Sequence, residues 1–139
     1  MRGVLRGLVA ETSRMAIVDL EAGLEHLSRG TARHVDTLLV VAEPYFKSLE
    51  TAQRSFALAR DLGIQTVHMV ANKIRTARDE ETVREFAGHH ALSLAAVIPY
   101  DQAVVEADER GTAPIAHRPD APSVTAIRRL AEHLLTRAA

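Results

Sequence analysis

The stretch that most restricts this chain is Leu38–Ala42, an unbroken apolar run inside V-D-T-L-L-V-V-A-E at 35–43, closed by Pro44. A run this short and without alternation is the pattern of a parallel strand covered on both faces, because a strand wet on one side would alternate. Covered strands require helices. Ser48 can cap one in which Leu49, Ala52, Phe56 and Ala59 share a face, with Gly63 as its stop. Val67–Ala71 reads as the next strand, and Asp79 can cap the helix after it, with Glu80 and Glu81 complementing the dipole and Gly88 near the end. Leu92–Ile98 reads as a further strand, followed by a short helix over Asp101–Arg110 that stops at Gly111. Beyond Pro114, Pro119 and Pro122, a last helix turns Val124, Ile127, Leu130, Ala131, Leu134 and Leu135 inward. Upstream, residues 2–12 place Val4, Leu5, Leu8 and Val9 on one helical face, and Met15–Leu20 reads as a short buried strand. Such alternation with short connections implies right-handed crossovers. The expected fold is α/β, a mainly parallel sheet with flanking helices in three layers.

A length of 139 residues fits a single domain, 1–139. With 17 basic and 18 acidic residues the formal charge is −1, so no long-range field points to nucleic acid or anionic lipid. No apolar run reaches the length of about 18 residues that a membrane span needs, and arginines and glycines interrupt the opening M-R-G-V-L-R-G-L-V-A-E. Neither a membrane nor a nucleic-acid partner is expected. Cysteine is absent, which removes disulfides and thiolate metal sites and agrees with a reducing cytoplasm. Among His26, His34, His68, His89 and His90 only the last two are close in sequence, and adjacent helix residues point apart, so a histidine metal site is not expected. The only lysines among the 17 cations are Lys47 and Lys73, so arginine is the default cation. Both lysines fall where the carboxyl end of a strand is expected, the side of an α/β sheet that binds ligands.

The chemistry concentrates at those strand ends. Asp19 ends the apolar Met15–Leu20 segment, where a carboxylate can hold a water of a phosphate-bound Mg²⁺, although aspartate at a strand end is also common without that role. In V-D-L-E-A-G-L-E-H-L, Gly23 can admit a γ-phosphate to the backbone while Glu21 and Glu25 belong to a switch segment. The same residues also suit a polar loop with a turn glycine. Asn72-Lys73 follows V-H-M-V-A: an amide both donates to and accepts from a purine edge, and a lysine stem can cover a ring or brace the loop. Pro99-Tyr100-Asp101, one strand later, offers a far wall to a base pocket. Asp101 can equally be a helix N-cap, and the two roles are compatible. What is missing is a Gly-Lys-[Ser/Thr] turn to cradle phosphates, because neither lysine follows a glycine.

Taken in order, V-D-L-E-A-G at 18–23, A-E-P at 42–44, N-K-I at 72–74 and I-P-Y-D at 98–101 resemble the MinD/ParA-type deviant Walker ATPases. Within that group the chain is most similar to the CooC-type accessory ATPases of carbon monoxide dehydrogenase nickel insertion. The fullest match is D-L-E-A-G-L-E-H-L-S-R-G-T-A at 19–32, continued by S-L-E-T-A at 48–52, D-L-G-I at 61–64, V-V-E-A-D and G-T-A-P. The resemblance implies a P-loop NTPase-like fold, ATP and Mg²⁺ as cofactors, a cytoplasmic homo-oligomer such as a dimer, and a metalloenzyme client. By position it implies that Asp19 is the Walker-B carboxylate, catalytic and holding Mg²⁺ through water. Glu21 and Gly23 would lie in switch II, Asn72 and Lys73 in the base-recognition motif, and Pro99, Tyr100 and Asp101 in the adenine-side loop.

The family's K-G-G-x-G-K-[ST] loop, its strand, switch I, the signature lysine and the Cys-x-Cys used for nickel would all precede Met1 in such an alignment. The expectation is therefore a C-terminal, N-terminally truncated portion that binds adenine weakly and does not hydrolyse ATP. The alternative is a P-loop-less paralogue that binds a partner as a scaffold. In the family the P-loop strand lies between the strands matching Met15–Leu20 and Val35–Glu43, so a gap of about 9 Å is expected between them. Such a gap favours self-association or pairing with the missing half.

Overall fold

The computed structural model describes residues 16–20 and 34–138, and the expected helix over 2–12 lies outside them. Three parallel strands, β1 (Thr37–Ala42), β2 (Thr66–Ile74) and β3 (Leu94–Pro99), form a sheet in sequence order. Helix α1 (Phe46–Asp61) connects β1 to β2 and α2 (Ala77–His89) connects β2 to β3. After β3 come α3 (Gln102–Glu109), the single turn α4 (Pro114–His117) and α5 (Pro122–Ala138).

The period-two alternation of strand side chains sorts the core into two faces. On one, Ala42, Met69 and Ala71 pack against Leu49, Ala52 and Phe56 of α1 and Val83 and Ala87 of α2. On the other, Val70 and Ile98 pack against Leu130 of α5, with Ala126 and Leu134 beside it. Helix, sheet and helix thus form the expected three layers, and α1 buries the four residues its periodicity selects. Gly63 ends α1 in the left-handed region, φ 85°, which a residue with a Cβ rarely adopts.

Five expectations are corrected. β1 is covered on one face only: Leu38 and Ala42 are buried, whereas Leu39 and Val41 are exposed, Val41 by 60%. The reason is that α5 packs on β3, and no described helix reaches across to that side of β1. Residues 16–20 form no strand, and Ile17 is 90% exposed rather than buried. A strand needs a ladder partner, and the described sheet ends at β1. Ser48 is not the cap of α1; Tyr45 holds that position without a side-chain bond, and the Ser48 hydroxyl instead accepts from the Glu43 N–H at 3.0 Å. Thr76, not Asp79, caps α2, with Asp79 closing a reciprocal capping box. In α5, Val124 and Leu130 are buried, while Ile127, Ala131 and Leu135 are exposed, because the stripe facing β3 runs through Ala126, Leu130 and Leu134.

Candidate functional site

The carboxyl ends of the three strands gather the candidate residues, and a break in register shapes them. Ala71 pairs with Val97 and Ile74 with Pro99, so Asn72 and Lys73 together stand opposite the single residue Ile98. This is a β-bulge, a device that re-aims side chains and recurs beside functional sites. Lys73 occupies the left-handed region with φ 57°, a conformation costing a residue with a Cβ on the order of 1 kcal/mol. Strain of this kind persists only where neighbouring contacts fix it. Here the Asn72 side-chain oxygen accepts from the Lys73 N–H at 2.9 Å, and the Lys73 ammonium donates to Glu43 Oε1 at 2.8 Å. That ion pair, sited on the surface between the ends of β1 and β2, raises the Lys73 pKa, first through the hydrogen bond and then through the carboxylate's charge.

The far side of the cluster is built from the β3 exit. Ile74 accepts from the Tyr100 N–H at 2.8 Å, fixing the two chain ends side by side. The Arg75 guanidinium then lies 3.7 Å above the centre of the Tyr100 ring. The Tyr100 hydroxyl donates to Gln102 Oε1 at 3.3 Å, and Asp79 Oδ2 accepts from the Arg75 and Thr76 N–H groups, each at 2.9 Å. Those donors, led by the Arg75 N–H, hold the Asp79 carboxyl below its usual range.

Asp101 serves two helices at once. Its Oδ1 accepts from the Ala103 N–H at 2.9 Å, capping α3, while Oδ2 accepts from the Ser123 N–H at 3.0 Å in the first turn of α5. These bonds, Ser123 first, lower its pKa, since the ionised form is the acceptor. The N-cap expectation is met, and both carboxylate oxygens are engaged in it.

The structure thus brings Asn72, Lys73, Pro99, Tyr100 and Asp101 to one end of the sheet. Asp19 is exposed in the short 16–20 segment, and Glu21 and Gly23 lie outside the described residues. Two participants were missed by sequence reasoning. Glu43 could have been found from its place between an apolar strand and Pro44, opposite one of only two lysines. Arg75 carried no signal, since a single arginine in an arginine-rich chain gives none. A shallow hollow of about 290 Å³ between β3 and α5 includes none of these groups.

Solved structures share this architecture. A ParA-family ATPase of Chlorobium tepidum TLS superposes with a TM-score of 0.68 at 24% identity, over 81% of this chain and 47% of that one. MinD of Pyrococcus horikoshii OT3, complexed with Mg-ADP, gives 0.64 at 19% identity, over 77% and 44%. The fold is that of the MinD/ParA P-loop NTPases. In sequence, the carbon monoxide dehydrogenase accessory protein CooC of Rhodospirillum rubrum is 39% identical over 111 residues, 80% of this chain and 41% of that protein. The chain matches a C-terminal portion of CooC- and MinD-like proteins, and it spans about two-fifths of the length of the curated relatives it matches. No family model matches it.

Proposed function

We propose that this chain, as one domain, is the base-binding portion of an adenine-nucleotide site in a CooC/MinD-like ATPase that serves metallocentre maturation. Its client would be a nickel enzyme of the carbon monoxide dehydrogenase type, and its compartment the cytoplasm; among the described residues no helix is long and apolar enough to cross a membrane. The observation that carries this reading is the bulge that seats Asn72 and Lys73 beside the Pro99–Asp101 loop at the ligand end of the sheet. Its similarity to an accessory protein of carbon monoxide dehydrogenase and to a MinD complexed with Mg-ADP supports it.

The implied groups fit unequally. With its oxygen on the Lys73 N–H, the Asn72 amide keeps its NH₂ to donate to a purine nitrogen, so the base side fits. On the phosphate side the chain has no Gly-Lys-[Ser/Thr] turn, and no cluster of three ligating side chains exists among the described residues. Asp19 alone would hold Mg²⁺ there, through water. Because charge stabilisation supplies most of phosphoryl-transfer catalysis, the chain binds adenine weakly and does not hydrolyse ATP unaided. Phosphate release by the purified chain should stay at background. Turnover that disappears in Asp19→Asn would overturn this.

A second reading, a non-catalytic scaffold, draws on Tyr45 and Phe46, 54% and 73% exposed at the start of α1 next to Glu43. Two open aromatic rings suit a protein partner. Capture of a partner that persists without nucleotide and is lost in Phe46→Ser would favour it.

A further inference from the structure

We propose that Arg75 and Tyr100 form a two-layer stacking platform on which a purine base lies, with the exposed face of the Arg75 guanidinium as its upper surface. The inference rests on the adenine-nucleotide reading above and adds to it a residue, Arg75, that neither the motifs nor the relatives assign. An exposed arginine is ordinarily mobile. This one has its Cζ over the Tyr100 ring, 3.7 Å from the ring centre, so the ring covers one side of the guanidinium. The main chain on both sides is pinned: Asp79 Oδ2 accepts from the Arg75 N–H, and Ile74 accepts from the Tyr100 N–H. A guanidinium seated over an aromatic ring leaves its other side open, and nucleobases stack on guanidinium planes as they do on aromatic rings. Asn72 lies three residues earlier on the same strand end, supplying edge recognition where the platform supplies the face. The chemistry selects a flat, electron-rich heteroaromatic ring, a purine above a pyrimidine, and requires no phosphate.

The experiment is a titration of the whole chain, labelled for NMR, with adenosine. Stacking displaces the Arg75 side-chain protons upfield by the ring current of the purine and perturbs the Tyr100 ring, alongside the Asn72 amide. Arg75→Lys keeps the charge but removes the plane, and should weaken adenosine binding about tenfold, to a level close to that of Arg75→Ala. Retained dispersion of the amide spectrum shows that both variants fold. Shifts at Asn72 without any at Arg75 or Tyr100, or wild-type affinity in Arg75→Lys, would overturn the platform and leave the nucleotide reading standing. No shift at any of the three with millimolar adenosine would overturn both.

Discussion

The Lys73 ammonium lies 2.8 Å from Glu43 Oε1, tying the end of β2 to the end of β1 while Lys73 itself holds a left-handed backbone. Glycine would adopt φ 57° more easily than lysine, so the backbone conformation alone does not call for a lysine there. Lys73→Gly should leave the thermal midpoint unchanged or higher while weakening adenosine binding. A fall of several degrees with binding intact would make Lys73 a structural residue.

In the proposed site the Asn72 NH₂ would donate to the purine edge, its oxygen being held by the Lys73 N–H. Asn72→Ala should weaken adenosine binding by about 1–3 kcal/mol, the usual loss when a buried polar partner is left unpaired. Unchanged affinity by calorimetry would remove Asn72 from the site.

Asp101 links stability to acid. Its pKa is lowered in the folded chain, so its contribution is present above the unfolded value of about 3.9 and is lost as pH falls below it. Asp101→Ala should cost about 1–2 kcal/mol at neutral pH by uncapping α3 and freeing the Ser123 N–H. Asp101→Asn, which still caps, should lose less and show a flatter acid limb in denaturant unfolding between about pH 5 and pH 2. An acid limb as steep as the wild type's would place the titration elsewhere.

The capping box on α2 gives a stability test beside the site, because Asp79 Oδ2 can still accept from the Arg75 N–H when the Thr76 hydroxyl is gone. Thr76→Ala removes the oxygen that accepts from the Asp79 N–H at 3.1 Å and should cost about 1 kcal/mol without altering adenosine affinity. A change in affinity would show that the α2 start communicates with the site.

How far the sequence reaches is clearest by comparing β1 with β2. The apolar run at 38–42 announces a strand but not its cover, because covering depends on where α5 lands, and α5 lands on β3. The buried stripe of α1 was legible to the residue, since a 3.6-residue period registers burial directly, whereas its cap was not. The stripe of α5 was misplaced by about one position, because its apolar residues spread over more than half the circumference. At the site, Asn72 and Lys73 were legible as a strand end, whereas the bulge was not: one unpaired residue leaves no mark in composition or periodicity. Nor was the stack of Arg75 on Tyr100, a contact between segments 25 positions apart set only by strand pairing.

The central claim is that this chain holds the base side of a nucleotide site and not its phosphate side. Calorimetric affinities of adenosine, ADP and ATP, each with Mg²⁺, test it most directly. The account predicts three dissociation constants within about threefold of one another, since about 0.7 kcal/mol is all that uncradled phosphates should add. ATP binding a hundredfold tighter than adenosine, or adenosine not binding at all, would contradict it.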